Sequence, residues 1–195
     1  MKIRVKRSQL LNELVPMQGI VERRTTIPVL SHILLRGDGD QLHLAATDLD
    51  VSLTTSCQAE VDGNGGIAVQ ARKFLEIIRA VVGDEVQLTL EDEKRLSIEA
   101  GRSRFKINGL SPEDFPTLPD VKSEEGIKIP FGLFKAMIGK VIFAVSAEES
   151  RFQLNGALLR VKGDALECAL DAIDGVVDYI YRFVGPRYGC DSDNT

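Results

Sequence analysis

Ile3 and Val5, near the start of the chain, recur as Ile127 and Ile129, an offset of 127 − 3 = 124, and the frame then holds without a gap. Leu10 falls on Phe134, Leu14 on Ile138, Met17 on Val141 and Val21 on Val145. Farther on, Leu34-Leu35-Arg36 falls on Leu158-Leu159-Arg160, Gly39-Asp40 on Gly163-Asp164 and Leu42 on Leu166. Apolar matches alone could be coincidence, but a Leu-Leu-Arg and a Gly-Asp match in one frame argue against it. A weaker echo lies between, at 67 − 3 = 64: Ile67, Val69, Phe74, Leu75 and Ile78 repeat Ile3, Val5, Leu10, Leu11 and Leu14. The chain therefore reads as three copies of strand–helix–three strands, one pair plus an unpaired third.

Each copy carries its own local signals. Ile3 and Val5 share one face of a strand over Lys2–Lys6. Ser8 is placed to cap a helix whose apolar residues, Leu10, Leu11, Leu14 and Met17, fall at helical spacing. Pro16 inside that pattern predicts a kink or an early end. After Pro28, the run Val29, Leu30, Ile33, Leu34, Leu35 has strand length, and Gly37-Asp38-Gly39-Asp40 forms a turn. Leu42, Leu44 and Ala46 then alternate as a half-buried strand does, and Val51, Leu53 and Thr55 share a face of the next. The second copy holds the clearest helix, Ala71–Val82, with Phe74, Ile77, Ile78 and Val81 buried and Arg72, Glu76 and Arg79 together on the opposite face. Strands follow at Glu85–Leu90, Arg95–Ala100 and Arg102–Ile107. Leu110–Asp120 carries three prolines and reads as a semi-rigid linker. The division is into residues 1–121, two copies, and 122–195, one copy with a polar tail. In the third copy a strand is expected at Ile127–Pro130, a helix at about Leu133–Val145, the repeated meander, and a last strand carrying Tyr179, Tyr181 and Phe183. The fold class is α+β.

Composition narrows the function. With 44% hydrophobic and 27% charged residues, a chain of 195 residues can bury a real core. A net charge of −5 supplies no global attraction to nucleic acid, so any such affinity must come from a local basic face. Cys57, Cys168 and Cys190 are odd in number and far apart, which argues against a disulfide framework or a zinc site and points to a reducing cytosol. No run approaches membrane-spanning length, so no membrane partner is expected. The acids Asp38, Asp40, Asp48, Asp50, Asp171 and Asp174 invite comparison with a metal-dependent phosphohydrolase. Their spacing fits turns and strand ends better, and no histidine lies nearby in sequence to complete a typical site. No phosphate-cradling glycine loop and no nucleophile–base constellation is present, so neither catalysis nor a cofactor is expected.

Several short segments sharpen this reading: Thr26-Ile27-Pro28-Val29-Leu30, Thr47-Asp48-Leu49, Ala71-Arg72-Lys73-Phe74, Gly101-Arg102-Ser103-Arg104-Phe105, Asp114-Phe115-Pro116 and Arg151-Phe152-Gln153-Leu154-Asn155-Gly156. In their order and spacing the chain resembles the bacterial DNA polymerase III β sliding clamps over about Met1 to Leu166. Beyond that, the family's Thr-Asp-Gly-His-Arg segment is replaced by Cys168–Asp178, CALDAIDGVVD. The resemblance implies the DNA-clamp fold and a processivity factor whose subunits close a ring around duplex DNA and tether the replicative polymerase, with a clamp loader as further partner. It implies a cytoplasmic, non-catalytic protein. Binding of that kind calls for phosphate contacts, since reading of base edges would hinder sliding.

The resemblance also suggests sites. Arg24, Arg72, Lys73, Arg79, Lys135 and Lys140 are the candidate DNA-facing cations, with a solvated helix face as the ordinary alternative. Phe152 and Gln153 match a loop that touches DNA, and Leu154 matches one wall of a pocket for partner peptides, whose other walls this chain lacks. Arg102, Arg104, Phe105 and Ile107, with Lys73, match the edge that meets a neighbouring subunit; the alternative is an amphipathic strand with Phe105 in the local core. A family subunit has three domains of two copies each, so this chain corresponds to one and a half. It is expected not to close a ring by itself and to leave Phe134, Ile138, Val141 and the Tyr179/Tyr181/Phe183 face exposed. A second expectation is a clamp segment that pairs with an intact subunit without binding DNA.

Overall fold

The alternation of Ile3 and Val5 makes Lys2–Lys6 a strand (β1) with two buried and three exposed positions, and it runs directly into the helix Arg7–Met17 (α1). The computed structural model describes residues 1–21, 26–92, 94–118, 129–144, 157–162, 165–171 and 178–184. Because no turn separates β1 from α1, the capping position falls on Lys6, and Ser8 lies inside the helix instead of capping it. The amide of Arg7 is satisfied across the fold, by the carbonyl of Asp84 at 2.8 Å. Pro16 sits in the last turn, where its missing N–H costs one helical bond, and the helix stops one residue later.

Pro28 opens a 3₁₀ turn, Pro28–Ser31, so Val29 and Leu30 lie before the strand and not in it. The strand itself is His32–Asp38 (β2), followed by Gln41–Thr47 (β3) and Ser52–Asp62 (β4). Gly39, at φ +57°, makes the two-residue reversal between β2 and β3. The second copy comprises Gly65–Gln70 (β5), the helix Ala71–Ala80 (α2), Glu85–Asp92 (β6), Arg95–Ala100 (β7) and Ser103–Leu110 (β8). The helix α2 is two residues shorter than the apolar pattern predicted. Val81 turns extended at its end while staying buried, which frees Glu85 to pair with Lys6.

These eight strands close into one barrel in the order β1-β4-β3-β2-β5-β8-β7-β6. Within each copy the first strand pairs with the last, β1 with β4 and β5 with β8. Between copies the pairing is reciprocal: β2 of the first pairs with β5 of the second, and β6 of the second with β1 of the first. Corresponding residues meet at both seams, Leu35 opposite Ile67 and Leu88 opposite Ile3. Closure at β5–β8 is tight, for a Cβ on Gly109 would lie 2.5 Å from the carbonyl oxygen of Ala68.

The two helices join the same core. Leu10, Leu14, Phe74 and Ile78 are all fully buried in one cluster with Ile3, Val5, Leu35, Ile67 and Leu88. The start of α1 lies against the end of α2, where the Arg7 guanidinium donates to the carbonyls of Ile78 and Arg79, each at 2.9 Å. Gln18, just past α1, lines one cavity with Gln70, Ala71 and Arg72, so the helices run antiparallel. Residues 110–118, predicted as a linker, cover the sheet's other face instead. Phe115 is buried against Leu34, Ala45 and Ala68, because the outward-facing residues of β2, β3 and β5 present a second apolar surface that needs a lid.

The chain divides into two compact units, Met1–Asp120 and Val121–Thr195. In the second, the helix Phe131–Val141 (α3) continues into a 3₁₀ turn, Ile142–Ala144. Leu158–Lys162 (β9), Ala165–Asp171 (β10) and Asp178–Val184 (β11) form an antiparallel sheet in the order β11-β10-β9. Its core holds Met137, Val141, Leu166 and Cys168. Val141, predicted to be exposed, is buried because it packs onto β10's inward residues; Phe134 and Ile138 are half-buried. The side chains of Tyr179, Tyr181 and Phe183 lie outside the described residues, as do Ile127 and Lys128 of the predicted strand Ile127–Pro130, whose other two residues, Ile129 and Pro130, are not in a strand.

Arg7 bears on stability as well as geometry. Arg7→Ala removes two charge-assisted bonds to α2's terminal carbonyls and is expected to lower the unfolding free energy of the first unit by about 1–3 kcal/mol, read by chemical denaturation.

Candidate nucleic-acid interface

The burial of Phe74, Leu75 and Ile78 in the core decides which side of α2 faces outward. At roughly 100° per residue, Arg72, Glu76 and Arg79 fall within a narrow outward stripe, with Lys73 beside it. All four are exposed. Arg72 Nε donates to Glu76 Oε1 at 3.0 Å, an i,i+4 ion pair in open solvent. Neither Lys73 nor Arg79 has a carboxylate partner among the described residues. A concavity of about 410 Å³ beside the stripe is lined by Gln18, Val21, Ser31 and Gln70 together with Arg72 and Arg79. The arrangement offers three cations and one carboxylate on a rigid helix, a surface suited to polyanion phosphates.

The remaining sequence candidates scatter. Lys135 and Lys140 are exposed on α3, in the other unit, and stand about 140° apart around that helix, so they form no single stripe. Arg24, Phe152, Gln153 and Leu154 lie outside the described residues.

The strand β8 carries the candidate subunit edge. It pairs with β7 from Ser103 to Asn108 but with β5 only at Gly109 and Leu110, so its other side is open over most of its length among the described residues. Phe105 is 37% exposed and is not in the local core, whereas Ile107 is 5% exposed and belongs to the main core. Arg102 is exposed in the turn before β8, and Arg104 is paired with Glu99 at 2.9 Å. Lys106, which no sequence motif singles out, pairs with Glu91 at 2.6 Å. Arg7 escapes motif reading as well. The available signal was a cation in the first turn of α1, unfavourable to that helix's dipole unless it serves the C-terminus of another.

The turn acids have structural work. Asp48 Oδ1 accepts the amides of Asp50 at 3.0 Å and Val51 at 2.6 Å, and Asp40 Oδ2 accepts from Gln58 at 2.8 Å. Among the described residues no three His, Cys, Asp or Glu side chains converge as metal ligands, and no helix is long and apolar enough to cross a membrane. Asp174 lies outside the described residues, and Asp171 ends β10.

Residues 1–119 match the DNA polymerase III beta subunit, N-terminal domain. The chain belongs to the DNA polymerase III beta subunit family. Among its relatives, the beta sliding clamp of Caulobacter vibrioides is 38% identical over 175 residues, covering 89% of this chain and 47% of that protein. The beta sliding clamp of Pseudomonas aeruginosa is 35% identical over 184 residues, covering 88% of this chain and 50% of its own length. Of solved structures, the Pseudomonas aeruginosa DNA polymerase III subunit beta superposes with a TM-score of 0.84 at 34% identity, over 94% of this chain and 50% of that one. A beta sliding clamp of C. crescentus gives 0.84 at 35% identity, over 96% and 51%. The fold is thus the sliding-clamp fold, and the chain spans about half the length of the curated relatives it matches.

The first unit also holds a buried thiol, Cys57. Burial, reinforced by the nearby Glu13 carboxylate, pushes Cys57 up from the ordinary 9.0 to about 11. The folded state therefore holds that proton where the unfolded chain has released it. The contribution is present in full below pH 9.0 and is lost as pH rises toward about 11. Denaturation midpoints of the wild type are expected to fall across that window, and Cys57→Ala should flatten the fall.

Proposed function

We propose that this chain serves as part of a DNA sliding clamp, the processivity factor of the replicative polymerase. It meets duplex DNA through sequence-independent phosphate contacts from Arg72, Lys73 and Arg79. The observation that carries the reading is the exposed basic stripe on α2, in the unit that matches the family's N-terminal domain. Arg24, Lys135, Lys140 and the segment with Phe152 and Gln153 would extend the contact in a ring that encircles the duplex. Side chains on a helix that touches only the backbone leave the protein free to slide, since every step along the duplex presents the same charge spacing. The chain acts in the cytoplasm, needs no cofactor and catalyses nothing itself; the polymerase and the clamp loader are its partners. Division at about residue 121 separates one full clamp domain from the first half of a second, whose Leu154 would form one wall of a partner-peptide pocket.

Binding of a labelled duplex, followed by anisotropy across a salt series, tests the reading. Arg72→Glu with Arg79→Glu is expected to weaken binding and to lower the log–log salt slope by roughly 0.9 for each phosphate no longer neutralised. Glu76→Gln releases Arg72 from its ion pair and is expected to tighten binding. An unchanged slope in the double variant returns these arginines to the role of a solvated face.

The open side of β8 favours a second reading, an interaction module that pairs with an intact clamp subunit through Lys73, Arg102, Arg104 and Phe105, with Ile107 holding the strand from inside. An exposed aromatic beside unpaired strand groups is a ready docking edge. On this reading the chain does not bind DNA itself, and Phe105→Asp is expected to weaken co-elution with a full-length clamp at least about tenfold while the first unit keeps its unfolding midpoint. Retained co-elution overturns this second reading alone.

A further inference from the structure

Outward-pointing side chains of the first unit's sheet form two rows, because residues directly opposite in neighbouring strands share a face. One row runs Ala68, Leu34, Ala45, Thr54, and the next runs Gly66, Arg36, His43, Ser56. Residues 112–118 cover the first row, where Phe115 is buried against Leu34, Ala45 and Ala68, and leave Arg36 and His43 exposed. Between this cover and the sheet lies a cavity of about 480 Å³ that joins both rows. Leu34, Ala45, Phe115 and Leu118 give it apolar walls, and Arg36 and His43 give it a polar side. Arg36 is held in place. A Cβ on Gly66 would lie 2.9 Å from Arg36 Cγ and 3.4 Å from Pro112 Cβ, so the arginine stem rests across the bare glycine with the cover's proline close by. Among the described residues no carboxylate pairs with the Arg36 guanidinium, although exposed Glu113 lines the same cavity.

We infer that this cavity is a binding site for a small organic carboxylate with a branched aliphatic or aromatic body. Its volume suits a compact molecule. A guanidinium fork meets a carboxylate with two parallel N–H donors, and the His43 ring, directly opposite Arg36 across the β2–β3 pair, supplies a further N–H. Because the stem of Arg36 already rests on Gly66, less rotamer freedom is lost on binding than for an arginine free in solvent. The apolar body lies on Leu34, Ala45 and Phe115, which extends the burial that the cover has begun. Both parts of the ligand are therefore needed: a bare anion forfeits the apolar contact, and a neutral molecule forfeits the fork. Glu113 adds one negative charge beside the cavity and disfavours a dianion. The inference is independent of DNA binding and of the β8 edge, because it uses no residue of α2 or β8.

Two-dimensional NMR of the full chain tests it, with N-acetyl-leucine and N-acetyl-phenylalanine as probes and their uncharged carboxamides and inorganic phosphate as controls. The two acids are expected to shift the backbone N–H signals of β2, β3 and residues 112–118 saturably. The carboxamides and phosphate are expected to bind at least about tenfold more weakly. Arg36→Gln is expected to weaken binding of the acids at least about tenfold while the first unit keeps its unfolding midpoint, and Glu113→Gln to tighten it. Failure of both acids to bind overturns the inference. Equal binding of the carboxamides overturns it by showing an apolar crevice without anion recognition, and equal binding of phosphate by showing a bare basic patch. Binding of the acids that survives Arg36→Gln unchanged overturns it as well, since the ligand then sits elsewhere.

Discussion

The two reciprocal strand pairings, β2 with β5 and β6 with β1, are the constraint on which the first unit rests. Each copy alone is a four-stranded sheet with two open edges and an uncovered apolar face. Joining them closes the barrel, eliminates those edges and puts α1, α2 and the inner residues of every strand into one cluster. The outward face of α2 follows from that packing. Phe74 and Ile78 can be buried only if α2 is held at one rotation about its axis, and that rotation turns Arg72, Lys73 and Arg79 outward as a set. Arg7 reinforces the arrangement by serving the C-terminal carbonyls of a helix other than its own.

Ion pairs occur on the strands and on α2 alike. Three cations of the barrel strands are ion-paired: Arg4 with Glu60 at 2.8 Å, Arg104 with Glu99 at 2.9 Å, Lys106 with Glu91 at 2.6 Å. The stripe on α2 holds one ion pair, Arg72–Glu76, in which both side chains are mostly in water, so its net worth is small and exchange for a phosphate costs little. A chain with a net charge of −5 can in this way keep a local basic face. Long-range repulsion of DNA by the acidic remainder is screened beyond about 10 Å at ordinary salt, which leaves the short-range interactions to decide.

Among the described residues, both halves of the repeat are seen only in the first unit. Equivalent positions are fully buried in the first and less so in the second: Leu35 against exposed Leu159, Leu10 and Leu14 against half-buried Phe134 and Ile138. The sheet of the second unit still forms, with β10 paired along its length to β9 and β11, since those bonds lie within the copy. What its α3 lacks among the described residues is a second helix, and so a smaller cluster of Met137, Val141, Leu166 and Cys168 serves as core.

The sequence by itself determined everything governed by period. Alternation placed the strands, the spacing of Phe74, Ile77 and Ile78 placed α2 and aimed Arg72, Glu76 and Arg79 to one side, and the 124-residue offset revealed the copies. These are local or self-referential signals, written in the order of the residues. Tertiary structure alone decided what depends on neighbours far along the chain. The amide of Arg7 found Asp84, which made a cap at Ser8 unnecessary; Val81 left the helix so that β6 could reach β1; and Leu110–Leu118, polar and proline-rich, settled Phe115 onto Leu34, Ala45 and Ala68. The same holds for the edge strand, where β8's partner on one side and its open backbone on the other decided that Phe105 meets solvent and Ile107 the core. Periodicity tells which residues share a face, but only the closed sheet tells what that face meets.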